Sequence, residues 1–173
     1  MICFTPKDFQ EIDHCVYRYL DVDDEKIKYV GICNNGTLSN RHRGHMNDEW
    51  FRNGNFICEY IQYQNRSETE AMESHLISVY GTDKYYNKSK TGWGEISFIQ
   101  TPYEIDWNLA PWYTIERLKE NAIKYIRANC FLSASNCLET ILKLEPTLEK
   151  YKEIRTRRIF GDERFIKDAT SGR

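Results

Sequence analysis

Two short runs of β-branched and aromatic residues, joined by a polar segment, limit the fold of this chain most strongly. Residues 14–20 (HCVYRYL) and 27–32 (IKYVGI) have the composition of strands, and the polar residues 21–26 between them predict a hairpin loop. A third run, residues 56–63 (FICEYIQY), predicts another strand. Three short strands need helices to cover them. The pattern therefore predicts an α/β fold of the α+β type, with a small three-stranded antiparallel sheet flanked by helices.

Two helices are predicted around the third strand. Residues 38–50 form the first, with Thr37 or Ser39 as its cap. The second is expected to begin with a capping box over residues 67–70 (SETE), to carry apolar residues at helical spacing, and to end at Gly81.

The composition changes beyond Asn87. Residues 88–113 contain three tryptophans and no sustained period, and three helices are predicted after them, over 114–129, 135–145 and 147–158, with Pro146 ending the middle one. The predicted organisation is a domain over residues 1–90, an irregular aromatic-rich crossover over 91–113, and a helical accessory region over 114–173. The tryptophans at 93, 107 and 112 are expected to pack the crossover rather than to stack on nucleobases.

Charge and apolar content exclude some classes of protein. The formal net charge is −2, so any attraction to a polyanion must come from a local patch or from metal ions. No apolar run approaches the roughly 18 residues of a membrane span, and residues 1–10 show no secretory signal. The six cysteines form no C-x-x-C pair, and those at 15, 33 and 58 are expected to be small buried hydrophobes, so a cytoplasmic location is the default expectation.

Several polar residues that could take part in a reaction are expected to lie near one another in the predicted elements. If the first two strands pair, Tyr17 and Tyr29 can project from the same side of the sheet, where Gly31 leaves room for a backbone or a ligand. Arg41 and His45 are four residues apart and lie side by side on a helix. Glu73 lies at the margin of the apolar face of the second predicted helix, so its carboxylate can point inward.

Two phenols, a guanidinium, an imidazole and a carboxylate suit phosphodiester hydrolysis. The carboxylate can hold a hard divalent cation, and the cation and the arginine offset charge on the phosphate. A phenol can help to take the proton from the attacking water. Since a phenol titrates near pH 10, a base role requires the site to lower its pKa.

The same residues resemble a known family. Cys15-Val16-Tyr17, followed after eleven residues by Tyr29-Val30-Gly31, resembles the paired signature of the GIY-YIG nucleases. Residues 38–45 (LSNRHRGH) resemble the arginine helix of that family, residues 71–77 (AMESHLI) its metal-binding helix, and Tyr86-Asn87 its closing asparagine. The resemblance covers about residues 12–90, which is about half the chain.

The resemblance implies a metal-dependent endonuclease that acts on nucleic acid, with DNA favoured over RNA. It implies that Tyr17 is the general base or orients the water, with support from Tyr29, and that Arg41 contacts the scissile phosphate with assistance from His45. It also implies that Glu73 is the sole protein ligand of Mg²⁺ or Mn²⁺, and that Asn87 has a structural role in tying a loop to the site.

The chain departs from the pattern of the family at a few positions. Cys15 replaces the first glycine, Arg41 lies somewhat further after Gly31 than expected, and Arg43 is an alternative to Arg41 as the phosphate contact. Two other functions therefore stay open: a catalytically inactive GIY-YIG fold that binds nucleic acid or a protein, and an unrelated α/β interaction domain.

A basic segment lies near the end of the chain. Residues 150–158 (KYKEIRTRR) carry five positive residues against one negative. Arg155, Arg157 and Arg158 are candidate contacts to DNA phosphates, and a solvated helix face is the alternative explanation.

Overall fold

A computed structural model of the chain describes residues 12, 14–34, 36–88 and 106–159, with side chains as far as residue 157. The chain divides into two compact units, one ending at Tyr113 and the other beginning at Thr114. Of the helices in the described ranges, none combines the length and the apolarity that a membrane crossing requires. Trp93 and the side chain of Arg158 lie outside the described residues.

The first unit is built on a four-stranded antiparallel sheet, which confirms the predicted α+β class. The strands are β1 (Cys15–Asp21), β2 (Lys26–Cys33), β3 (Phe56–Gln62) and β4 (Asn108–Leu109), in the order β2-β1-β3-β4. The first three match the predicted strands. The fourth was not predicted, because a strand of two residues is too short to show alternation.

Strand β1 is central and is buried on both faces. Cys15, Tyr17 and Tyr19 belong to an apolar cluster on one face. On the opposite face, the Nε of Arg18 donates to Glu59 Oε2 at 2.7 Å, and the guanidinium lies 3.9 Å from the centre of the Trp107 ring. Favourable geometry of this kind is needed to offset the desolvation of a buried ion pair.

The three cysteines predicted to be small buried hydrophobes, Cys15, Cys33 and Cys58, are buried in this unit. The indole of Trp107 lies over the Arg18 guanidinium, and Trp112 belongs to the buried core cluster. Both tryptophans therefore pack within the first unit, as was expected of the crossover.

The helices of the first unit differ in detail from the prediction. Two helices, α1 (Leu38–His45) and α2 (Glu49–Arg52), replace the single predicted helix over 38–50. The residues between them include Asn47 and Asp48, types that favour turns and caps over helix interiors. Of the two predicted caps, Thr37 is the one that caps α1, with its hydroxyl oxygen accepting from the Asn40 amide at 3.4 Å.

The long helix α3 (Arg66–Tyr80) begins earlier than predicted. Its cap is Asn65 rather than Ser67, and the Asn65 side-chain oxygen accepts from the Glu68 amide at 3.0 Å. Asparagine is as favourable as serine at the N-cap, so Asn65 can begin the helix two residues before Ser67. The helix ends, as predicted, at Gly81, which adopts the left-handed conformation with φ of 62°.

The second unit is a helical hairpin formed by α4 (Ile115–Arg127) and α5 (Phe131–Ile159). The prediction that Pro146 ends a helix is wrong, because α5 continues through it. Proline removes one backbone donor and frees the carbonyl of residue 142. Both Pro146 and Leu142 are exposed, so water can bind that carbonyl.

We predict that the buried His42 makes stability fall in acid. His42 is 3% exposed, its Nδ1 lies 2.9 Å from Tyr19 Oη, and its ring stacks on Trp112. Burial, reinforced by the nearby His45, lowers the His42 pKa from 6.5 to about 3. Between these values the unfolded chain binds more protons than the native chain. The contribution of neutral His42 is therefore complete above pH 6.5 and is lost at about 1.4 kcal/mol per pH unit below it.

Urea unfolding of wild type and His42→Gln between about pH 4.5 and pH 7 measures this effect. The free energy of unfolding of the variant should depend less steeply on pH, with a slope smaller by the equivalent of up to one bound proton. Identical pH dependence in the two proteins would contradict the prediction.

Candidate active site

An open cleft of ≈ 380 Å³ brings the predicted site residues together. Four residues predicted to act in catalysis or metal binding line it, and they come from four separate elements: Tyr17 of β1, Tyr29 of β2, Arg41 of α1 and Glu73 of α3. His45 touches this set through Tyr17. The other lining residues are Ile32, Asn34, Arg66 and Glu70.

Strand register places the two tyrosines side by side. Tyr17 pairs with Gly31 across the β1–β2 hairpin, and the Tyr17 and Tyr29 ring centres are 6.0 Å apart. A Cβ at residue 31 would lie 2.7 Å from Tyr17 Cζ and 2.8 Å from Tyr29 Cε1. The space at Gly31 is thus filled by these two rings, and not by a ligand or another backbone as the sequence suggested.

Burial keeps both phenols in their neutral form. Tyr17 is 2% exposed, and its desolvation raises the pKa of the hydroxyl well above the usual 10, with a further increase from the neighbouring Tyr29. Arg41 acts in the opposite direction but is the smaller influence. The pKa of Tyr29 is also raised by burial. In the protein without a bound cation, Tyr17 is therefore a hydroxyl donor at neutral pH and not a ready phenolate base.

His45 connects Tyr17 to a carboxylate that was not predicted from the sequence. Its Nε2 lies 3.0 Å from Tyr17 Oη, and its Nδ1 lies 2.9 Å from Oδ2 of Asp48. The imidazole also packs against the rings of Tyr29 and Trp50, at centre-to-centre distances of 4.7 Å and 5.6 Å. The signal in the sequence was the spacing of three residues between His45 and Asp48, which the single predicted helix over 38–50 concealed.

Helix α3 supplies the acidic wall of the cleft. Glu73 is 8% exposed, and Glu70 and Arg66 line the same cleft at helical spacing. Arg66 Nε pairs with Glu70 Oε1 at 2.6 Å. The spacing of Arg66, Glu70 and Glu73 at i, i+4 and i+7 could have identified this face in the sequence, but only Glu73 was predicted.

The donor set decides which cation could fit. In the described ranges, no group of three or more His, Cys, Asp or Glu side chains is arranged to hold a metal ion. Structural zinc sites need four such ligands, whereas Mg²⁺ is held by one or two carboxylates and keeps several waters. Glu73, with Glu70 one helical turn away, therefore fits a Mg²⁺-type cation.

The remaining predicted residues occupy different parts of the protein. Arg43 is exposed on α1 and is not among the residues lining the cleft, so the position of Arg41 fits a phosphate contact better. Arg155 and Arg157 lie on α5, in the second unit. Asn87 Nδ2 donates to the Val30 carbonyl at 2.8 Å and its Oδ1 accepts from the Val30 amide at 3.0 Å, which ties the loop after α3 to β2.

Cys15 is fully buried in the core cluster. Comparison with protein-family models, with curated proteins and with solved structures finds no match to the chain.

We predict opposite effects of alanine at two glycines. Gly31→Ala forces a Cβ against the two tyrosine rings, and such overpacking lowers the free energy of unfolding by about 1–3 kcal/mol. Gly44 is the matched control, because it lies within α1 and a Cβ added there would meet no other part of the protein within 4 Å. Gly44→Ala should raise stability by about 0.5–1 kcal/mol through helix propensity.

Both variants are measured by urea unfolding beside wild type. If Gly31→Ala were as stable as wild type, the close packing of Tyr17 on β2 would be incorrect.

Proposed function

We propose that this chain is a metal-dependent endonuclease of the GIY-YIG type, which hydrolyses phosphodiester bonds in nucleic acid, with DNA favoured over RNA. The observation that carries the proposal is the convergence of Tyr17, Tyr29, Arg41 and Glu73 on one cleft from four elements. Packing alone does not require a polar set of this kind at an open cleft.

A phosphate substrate is compatible with the net charge of −2 because the guanidinium of Arg41 lines the cleft. Arg66 also lines the cleft, but it is paired with Glu70. A guanidinium can bind a phosphate through two parallel hydrogen bonds, and it stays charged at every relevant pH. Arg155, Arg157 and Arg158 are proposed as further phosphate contacts, made by the second unit.

Glu73 would hold Mg²⁺ or Mn²⁺. Glu70 lies one helical turn away, with its Oε1 paired to Arg66. Such a cation, when bound, supplies positive charge to the phosphate as negative charge develops there. The protein residues have separate tasks. Arg41 binds the scissile phosphate, and Tyr29 packs against the ring of Tyr17, which lines the cleft.

The Tyr17 hydroxyl orients the attacking water. As the water oxygen bonds to phosphorus, the bond from phosphorus to the leaving oxygen breaks, and its electron pair stays on that oxygen. The leaving oxygen takes a proton from solvent. Tyr17 can receive the proton of the water while it passes its own to His45, which lies within hydrogen-bond distance.

A second candidate function is a nucleic-acid-binding module without turnover. The observation that favours it is the burial of Tyr17, which raises the pKa of the hydroxyl and leaves no phenolate ready to act as a base. This candidate and the nuclease predict the same cleft but different results in a cleavage assay.

We predict metal-dependent cleavage that is lost in Glu73→Gln. Single-stranded, duplex and branched DNA and an RNA are incubated with Mg²⁺, with Mn²⁺ or with EDTA. Wild type should cleave DNA only with a cation. Loss of the cation ligand removes several kcal/mol of transition-state stabilisation, so cleavage by Glu73→Gln should fall about 10³-fold or more.

The matched control is Glu68→Gln, an equal change on the exposed side of α3 that still provides an oxygen for the Gln64 amide. It should cleave as wild type does. Unaltered cleavage by Glu73→Gln would remove that residue as the ligand. A wild type that binds DNA but cleaves none of the substrates would establish the binding module instead.

We also predict that Arg41 contributes to phosphate binding and Arg43 does not. DNA binding is measured in EDTA, without cleavage, over a range of salt concentrations. Arg41→Gln should weaken binding and reduce the salt dependence by about 0.9 log units per log of salt for one lost contact to duplex DNA. Arg43→Gln removes the same charge two residues away on α1 and should leave the slope close to wild type. The reverse pattern would assign the phosphate contact to Arg43.

A further inference from the structure

The hydrogen bonds around His45 form a continuous chain from the cleft to a carboxylate. Tyr17 lines the cleft, its hydroxyl oxygen lies 3.0 Å from His45 Nε2, and His45 Nδ1 lies 2.9 Å from Asp48 Oδ2. The His45 side chain is 15% exposed and the Asp48 side chain is 46% exposed. The chain therefore runs from a buried hydroxyl to a carboxylate at the surface.

The chemistry of the three groups fixes the direction of the bond to Asp48 and, for a neutral imidazole, that of the bond to Tyr17. An ionised carboxylate can only accept, so the bond to Asp48 requires a proton on His45 Nδ1. In neutral imidazole the other nitrogen then carries a lone pair, so His45 Nε2 accepts from the Tyr17 hydroxyl.

The Asp48 side chain contacts His45 instead of capping helix α2. Asp48 is the N-cap residue of α2, where an aspartate would ordinarily accept from a backbone amide of the first turn. Its side chain makes no capping hydrogen bond and points to His45 instead.

We propose that Asp48 is a positioning residue, which holds His45 in the tautomer with its proton on Nδ1, and that His45 Nε2 accepts the Tyr17 hydroxyl proton when Tyr17 takes a proton from the attacking water. This inference rests on the proposed nuclease function and adds to it a residue that the family resemblance did not supply.

The surroundings of Tyr17 and His45 support this division of labour. Burial raises the pKa of the Tyr17 hydroxyl, so a phenolate is not available to store the proton. The rings of Tyr19, Tyr29 and Trp50 lie around His45, with centres 4.7–5.6 Å from its own, and they limit its rotation. A fixed imidazole with one defined lone pair is a better acceptor than one that exchanges tautomers.

The proton transfer balances. Water loses one proton to Tyr17 Oη as its oxygen bonds to phosphorus, and Tyr17 passes its own hydroxyl proton to His45 Nε2 at the same time. The phenol is neutral before and after the step, and His45 becomes an imidazolium whose positive charge faces Asp48. After the leaving oxygen has taken a proton from solvent, the imidazolium returns its extra proton to solvent.

The first test reads the tautomer directly and needs no cleavage. Nitrogen-15 NMR of the histidine side chains, with His45→Gln used to assign the signals, shows which nitrogen of neutral His45 carries the proton. Wild type should have it on Nδ1. In Asp48→Asn the amide can donate to Nδ1, and the proton should move toward Nε2. A wild-type proton on Nε2, or the same tautomer in both proteins, would overturn the proposal.

The second test is kinetic and compares equal changes at adjacent residues. Asp48→Asn and Glu49→Gln each replace a carboxylate by the matching amide, but Glu49 is an exposed residue in the first turn of α2. Asp48→Asn should lower kcat by about 10²–10⁴-fold, the range of general acid–base catalysis. KM should stay within about threefold, because ground-state binding is not affected. Glu49→Gln should match wild type, and Asp48→Glu should restore part of the rate.

Dependence on Tyr17 separates a positioning role from a general loss of structure. Once Tyr17→Phe has removed the hydroxyl, adding Asp48→Asn should cause no further loss of rate, since both residues act through one proton path. Additive losses, or a kcat for Asp48→Asn equal to that of Glu49→Gln, would overturn the proposal. If the wild type cleaves no substrate, the proposed function fails, and the tautomer of His45 still decides the role of Asp48.

Discussion

The Tyr17 ring lies across the backbone of Gly31 on the neighbouring strand, where one added Cβ would be 2.7 Å from the ring. This contact determines where the Tyr17 hydroxyl can be, because the ring is held between Gly31 and Tyr29 and its hydroxyl oxygen lies 3.0 Å from His45 Nε2. The proposed roles of the other site residues depend on where they lie relative to that hydroxyl. A glycine that makes no contact through a side chain is therefore a main determinant of the geometry of the site.

The same strand and helix form two phenol–imidazole pairs with different environments. Tyr19 with His42 is enclosed in the core, where burial lowers the His42 pKa to about 3 and keeps the imidazole neutral. Tyr17 with His45 lies one turn along α1, beside the cleft and next to the carboxylate of Asp48. A carboxylate and access to solvent, rather than the pairing itself, distinguish the pair proposed to move a proton from the pair that packs the core.

How much could be predicted from the sequence depended on whether the signal was local. Alternation and strand composition were sufficient for β1, β2 and β3, and the spacing of known motif residues led to the cleft. Asp48 was missed because its role depends on a break between two short helices, and Pro146 was misjudged because an exposed proline is tolerated within a helix. The raised pKa of Tyr17 could not be predicted either, because desolvation depends on every neighbour in the folded protein.

Asn87 has a consequence for how the protein behaves beside other copies of itself. Strand β2 is at the edge of the sheet, and such an edge offers its backbone groups to any extended chain that approaches. The Asn87 amide occupies both the donor and the acceptor of Val30, at the middle of that edge. A foreign strand would have to displace both bonds before it could add to the sheet. Asn87, which anchors the loop, therefore also opposes edge-to-edge aggregation.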